Sequence, residues 1–210
     1  MWLQTDRCVL RSWRMEDAEG LAAGINNGNV GLRLRDWIPH PYTVDDANAY
    51  LQRVTTPQSE HAVCIEVDGK VSGGMSIRVG SDVHRRTAEL GYWLAEPLWG
   101  RGIMTAAVRA FVSTCFAEFE LDRIFATTAS NNPASAHVLT KAGFTFEGRL
   151  RKNVIKDGEV LDALMFAWVR DDASPPNAGQ STKRRRGNGE SARPPLFRHT
   201  SRSARSRARC

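Results

Sequence analysis

The chain of 210 residues contains no apolar run approaching the roughly 18 to 20 residues that a membrane helix requires. Its opening stretch, Met1 to Leu10, lacks the apolar centre of a secretory signal, so the cytoplasm is the simplest expected location and no membrane partner is expected. Cysteine is scarce. Cys8, Cys64, Cys115 and Cys210 stand far apart, with no C-x-x-C spacing and no histidine partner at ligand distance, which argues against a disulfide framework or a zinc site. No metal is therefore expected. The first three cysteines fall in apolar runs, where this residue acts as a small hydrophobe, and they read as core. His40, His61, His84 and His137 are scattered and show neither ligand spacing nor an obvious catalytic pairing.

What remains is 41% hydrophobic and 25% charged, enough for one well-filled domain with an appendage. The net charge of +6 is distributed unevenly. Residues 171–210 hold ten lysines and arginines against three carboxylates, so residues 1–170 are nearly neutral. After Arg170 the composition turns to Pro, Gly, Ser, Asn and Arg, with too few apolar residues to offset the entropy of ordering the backbone. Ala173 to Cys210 is expected to be disordered. Ten basic residues in such a tail suit a salt-sensitive contact with RNA or the ribosome, and suit a functionless solvated extension equally.

The apolar periods before the tail give strands and helices in mixed order. Cys8 to Trp13 reads as a first strand, Glu16 to Ile25 as a helix, and Val30 to Asp36 as a weaker helical piece. Thr43 with Asp45 and Asp46 caps a helix over Ala47 to Val54. Ala62 to Val67 and Lys70 to Val79 form a hairpin over Asp68-Gly69, and Thr87 to Leu94 is a further strand. Val108, Phe111, Val112, Cys115, Phe116 and Phe119 then fall on one stripe of a helix. Arg123 to Thr128 is a short strand, Asn132-Pro133 opens a helix that ends at Gly143, and Phe144 to Val154 with Glu159 to Val169 forms a last hairpin over Asp157-Gly158.

Between strand and striped helix lies Trp99-Gly100-Arg101-Gly102-Ile103-Met104-Thr105. Its glycines let the backbone come close to an anion, and the unpaired N–H groups of the following first turn face it. This loop, Ala88-Glu89-Leu90-Gly91-Tyr92-Trp93-Leu94 before it, and Asn132-Pro133-Ala134-Ser135 through Lys141-Ala142-Gly143-Phe144 after it together resemble the GNAT superfamily of N-acetyltransferases. Within that superfamily they are most similar to the branch that acetylates the N-termini of ribosomal proteins, and the likeness runs from about Thr5 to Arg170. Several spaced motifs in the right order carry it.

The resemblance implies an α/β fold of the acyl-CoA N-acyltransferase type, in which helices flank a mixed central sheet splayed between the strands Thr87 to Leu94 and Arg123 to Thr128. Acetyl-CoA is the implied co-substrate, its pantetheine arm along Trp93, Leu94 and Ala95, its pyrophosphate on Gly100, Arg101, Gly102, Ile103, Met104 and Thr105. Trp99 stands where the superfamily usually has Gln or Arg, though the branch it resembles often has an aromatic there. Asn132 matches a coenzyme contact, though it also suits a helix cap. Ser135 matches a serine that reaches the thiol, and Phe144 and Phe146 leave no tyrosine acid in that region. The neutral amine must lose a proton, and Glu89 matches an acidic position able to take it; its other reading is an ion pair with Arg78 or Arg123.

Trp37 and Tyr42 lie where the family builds its acceptor groove, or simply pack a rigid loop. Asp45 and Asp46 would suit a cationic acceptor, although helix capping explains them as well. Two functional classes follow. One is an N-acetyltransferase acting on a protein N-terminus, with a polyamine or antibiotic as the other acceptor class; the second is a non-catalytic acyl-CoA sensor that docks on RNA. Monomers and homodimers both occur in the family.

Overall fold

A computed structural model describes residues 2–56 and 61–170 of the protein. The tail 171–210, with Cys210 and the expectations placed on it, lies outside the described residues. The elements run β1 (Trp2–Gln4), β2 (Val9–Ser12), α1 (Ala18–Ile25), α2 (Gly28–Gly31), α3 (Val44–Val54), β3 (His61–Val67), β4 (Lys70–Val79), β5 (Thr87–Leu94), α4 (Ile103–Glu118), β6 (Arg123–Ala129), α5 (Pro133–Ala142), β7 (Thr145–Lys156) and β8 (Glu159–Val169).

Local chemistry sets most of these boundaries. At both Asp-Gly turns the two central residues have positive φ, Asp68 and Gly69 in one and Asp157 and Gly158 in the other, which is what a tight two-residue hairpin demands. Thr43 and Asp46 close a reciprocal capping box at the start of α3. The Asn132 side chain accepts from the Ser135 N–H and opens α5, and Gly143 ends it in the left-handed region. On α4 the stripe is buried as expected, with Val108, Phe111, Val112 and Cys115 fully covered.

The strands form one sheet in the order β1-β2-β3-β4-β5-β6-β8-β7, antiparallel throughout except where β5 meets β6. Each face carries its own core. Leu10, Ile65, Ile77, Leu90 and Leu94 pack under α4 and α5, whereas Trp13, Leu21, Ile25, Leu51 and Cys64 pack with α1 and α3 on the other side. Cys8, Cys64 and Cys115 are buried free thiols, as read from their apolar surroundings.

Two elements differ from expectation. The three-residue strand β1 precedes the first strand expected and pairs with it from Trp2 opposite Arg11 to Gln4 opposite Val9. The helical piece expected over Val30 to Asp36 is confined to the single turn Gly28–Gly31, capped by the Asn27 side chain. Beyond it the backbone continues in i to i−3 turns, with Arg33 N–H on Val30 and Ile38 N–H on Arg35. Side-chain anchors to other elements override its helical propensity: Arg33 lies over the Trp99 ring, Arg35 pairs with Glu89, and Asp36 pairs with Lys156.

Candidate active site

Pairing between β5 and β6 is limited to Thr87–Arg123, Ala88–Ile124 and Glu89–Phe125. From Leu90 and Ala126 onward the two strands diverge, and the opening between them is the splay expected of this sheet. Strand parity decides what faces it. The Gly80 N–H donates to the Thr87 carbonyl and the Ala95 N–H to the Ser72 carbonyl, so the odd-numbered residues of β5 spend their backbone groups on β4. Leu90, Tyr92 and Leu94 therefore turn their N–H and C=O groups toward the opening. The backbone of Trp93 and Ala95, two of the residues expected along the pantetheine arm, is directed at β4 instead.

The same alternation sorts the side chains. Leu90, Tyr92 and Leu94 project to the α4–α5 face, and Glu89 and Trp93 to the α1–α3 face. A cleft of about 1410 Å³ passes through the opening and reaches both sides. Its volume exceeds the roughly 300–1,000 Å³ typical of a pocket for one drug-sized ligand, which suits two substrates.

At one end of the cleft is the glycine loop. Gly100 and Gly102 both have φ of +74°, in the left-handed region where a side chain would be strained. Gly102 caps α4 without a side-chain acceptor, and the first intrahelical bond there runs from the Ala106 N–H to the Gly102 carbonyl. The N–H groups of Ile103, Met104 and Thr105 are thus left without a helical partner at the positive end of a 16-residue helix, the arrangement that binds phosphate oxygens. Arg7, from the β1–β2 turn, donates to the Arg101 carbonyl at 3.0 Å and brings a cation to the same loop. Trp99 has a different task. Its indole N–H donates to the Leu94 carbonyl at 2.7 Å and so holds the last peptide of β5.

On the α4–α5 face, the Tyr92 hydroxyl lies 2.8 Å from the Ser135 hydroxyl and 3.3 Å from the Ser135 carbonyl. Burial pushes the Tyr92 phenol up to about 12, with the Ser135 bond acting the other way, so it stays a neutral donor at ordinary pH. No tyrosine follows the Asn132 helix, as the sequence indicated, yet one reaches Ser135 from β5. Its signal was strand parity, since Tyr92 alternates with Leu90 and Leu94. Asn132 uses its side-chain oxygen as the α5 cap.

On the opposite face, Arg35 and Arg78 each hold one oxygen of the Glu89 carboxylate. The pairing with Arg78 follows one of the alternatives read from the sequence. Arg123 instead grips Glu147, and its guanidinium holds that carboxyl below the usual range. Arg35 had no sequence signal, being 54 positions away in an irregular loop. Trp37 lines the cleft mouth and is 64% exposed, with the Arg53 guanidinium 5.8 Å from its ring. Tyr42 is buried, its hydroxyl donating to the Asp46 carbonyl and its N–H to Asn26, so it anchors the loop from beneath. Asp46 is consumed by the Thr43 cap, and neither it nor Asp45 lines the cleft. The acidic pair that would have favoured a cationic acceptor is accounted for by helix capping.

Among the described residues no cluster of histidine, cysteine and carboxylate is arranged to hold a metal ion, and no helix is long and apolar enough to cross a membrane.

Residues 7–145 match the family model of the acetyltransferase (GNAT) domain. The ribosomal N-acetyltransferase candidate YdaF of Bacillus subtilis is 34% identical over 172 residues, covering 79% of this chain and 92% of that protein. Spermidine N(1)-acetyltransferase of Escherichia coli is 27% identical over 157 residues, covering 74% of this chain and 82% of its own length. Among solved structures, Mycobacterium smegmatis RimJ in complex with CoA-disulfide superposes with a TM-score of 0.71 at 26% identity, over 80% of this chain and 84% of that one. The chain belongs to the GNAT acetyltransferase family, with its acyl-CoA N-acyltransferase fold, and is an N-acetyltransferase.

Proposed function

We propose that this enzyme transfers the acetyl group of acetyl-CoA to the N-terminal amine of a protein, with a ribosomal protein as the acceptor class. The observation that carries the reading is the unpaired half of β5, where the Leu94 N–H faces a cleft that ends on the free first turn of α4. One end supplies an anion site for the coenzyme pyrophosphate, the other a donor for a developing oxyanion. The name of the Bacillus relative supports a ribosomal acceptor.

In the reaction, the amine lone pair attacks the thioester carbonyl carbon. A C–N bond forms, the C–S bond breaks, the amine loses one proton and the departing thiolate gains one. Holding both substrates in line and stabilising the oxyanion at the Leu94 N–H supply most of the gain. Glu89 takes the amine proton through a relay of several water molecules, because it lies five residues, about 17 Å of extended strand, from Leu94. Ser135, oriented by Tyr92, passes a proton to the thiolate on the opposite face of the sheet and regains one from solvent in the cleft, so the hydroxyl ends as it began. Gly100, Arg101, Gly102, Ile103, Met104, Thr105 and Arg7 hold the pyrophosphate, Tyr92, beside Trp93 and Ala95, supplies the free backbone partners of the pantetheine arm, and Asn132 contacts the coenzyme through its side-chain amide N–H. Trp37 frames the acceptor entrance over Tyr42.

The three buried thiols suit a reducing cytoplasm. In this reading residues 1–170 are the catalytic domain, and the basic segment 171–210 raises affinity for ribosomal RNA near the acceptor. The testing experiment follows coenzyme thiol release from acetyl-CoA by the full chain, with ribosomal N-terminal peptides, polyamines and aminoglycosides as acceptors. Turnover with the peptides is expected; turnover confined to polyamines or aminoglycosides would overturn the acceptor assignment, and coenzyme binding without any turnover would favour a sensor.

A further inference from the structure

We propose that the acceptor end of the cleft selects peptide N-termini that carry an acidic side chain within their first residues, read by Arg35 and Arg78. The proposal rests on the acyl-transfer reading above and narrows its acceptor.

The charge arrangement points this way. Among the described residues that line the cleft, the carboxylates are Asp6, Asp36 and Glu89, and each already sits in an ion pair: with Arg7, with Lys156, and with Arg35 and Arg78 together. A polyamine brings further ammonium groups besides the one acetylated. Each would need a carboxylate partner, and here it would have to displace a guanidinium or an ammonium to get one.

An anionic acceptor meets the opposite situation. Two guanidiniums share the single Glu89 carboxylate, so that cluster carries a net charge of +1. The side chains of Arg35 and Arg78 are 58% and 62% exposed, while Glu89 is 18% exposed beneath them. A guanidinium has five N–H donors in a planar fork, more than one carboxylate oxygen can take up. Arg35 and Arg78 come from the α2–α3 loop and from β4, and both line the cleft on the face where Glu89 and Trp37 stand. An incoming carboxylate on this face finds two oriented cations. The exposed Trp37 ring gives the peptide backbone an apolar surface to lie on.

The test is a set of short peptides with a common N-terminal serine and Asp, Asn or Lys at the second and third positions, assayed with acetyl-CoA, and spermidine assayed beside them. The Asp peptide is expected to show kcat/KM about fivefold to tenfold above the Asn peptide and further above the Lys peptide, as two half-exposed charge contacts imply. The preference should shrink as salt is raised. Arg78→Gln and Arg35→Gln should collapse the Asp-to-Asn ratio, and Arg78→Lys should restore part of it. That ratio is the readout because a general loss of activity through Glu89 lowers both peptides alike. Equal rates on Asp and Lys peptides, or preference for spermidine, overturn this inference and leave acetyl transfer standing. Transfer to none of the acceptors overturns the acyl-transfer reading and this inference with it.

Discussion

Two clusters of arginine and carboxylate sit on the same face of the sheet and use the same chemistry to opposite ends. Under the first turn of α1, Arg11 makes a paired contact with both oxygens of Asp17, each at 2.8 Å, and a third with Glu66 at 2.6 Å. In the cleft, Glu89 is held by Arg35 and Arg78. The first cluster is one cation between two anions with Arg11 and Asp17 nearly inaccessible, and the second is one anion between two largely exposed cations. Burial separates the roles. A charge pair out of water fixes the chain, because losing one partner strands the other; a half-solvated one can exchange partners with a substrate.

The largest effect that would sharpen this contrast is on stability. Asp17→Ala leaves the Arg11 guanidinium buried without its main partner and should cost about 3–5 kcal/mol, read as a lower urea midpoint with an unchanged slope. An equal loss for Glu89→Ala would break the contrast, since the cleft cluster is expected to lose far less. The acid limb follows from the same groups. Burial alone would raise the Asp17 carboxyl, but the Arg11 donors and the Arg14 N–H outweigh it and hold it below the usual range. A lowered folded value means its contribution is complete above the unfolded value of about 3.9 and is lost as pH falls through the folded one. Stability should thus be flat from neutral pH to about 5 and decline below 4, with a shallower decline in Asp17→Asn.

Next in size is the effect on turnover. Glu89→Gln should lower kcat about a hundredfold, or about 2.7 kcal/mol, with coenzyme affinity by calorimetry retained. An unchanged kcat would make Glu89 an ion-pair partner alone and bring the two clusters into one class. The smallest effect belongs to the opposite face. Tyr92→Phe removes the hydroxyl that hydrogen-bonds Ser135 and should slow turnover about threefold to tenfold. Because burial keeps the phenol protonated up to about 12, the alkaline part of the pH–rate profile up to pH 10 should have the same shape in wild type and variant, offset only by the lower rate. A limb near pH 10 that disappears in the variant would contradict a neutral Tyr92.

Features controlled by neighbours in sequence were legible without coordinates. The Asp-Gly hairpins, the Thr43 and Asn132 caps, the buried stripe of α4 and the glycine loop each depend on residues a few positions apart. Cross-strand proximity in the β4–β5 meander likewise made Arg78 a natural partner for Glu89. What escaped depends on separation or brevity. Three residues of β1 are too few for an alternation to appear. Arg7 reaches Arg101 across 94 positions, Arg35 reaches Glu89 across 54, and Tyr92 meets Ser135 across 43. Apolar period carries no information about such meetings. Trp99 is a different case: its indole bond to the Leu94 carbonyl spans only five positions, but no local pattern in the sequence marks a side chain that turns back onto the end of its own strand.

The central claim is that the acetyl group goes to a peptide α-amine held at the open half of β5. The most direct measurement is tandem mass spectrometry of one peptide that carries both an N-terminal serine and an internal lysine, after incubation with the full chain and acetyl-CoA. Acetyl on the serine α-amine, with the lysine side chain unmodified, is the predicted result; acetyl on lysine alone, or a peptide left unmodified by an enzyme that acetylates spermidine, would contradict it.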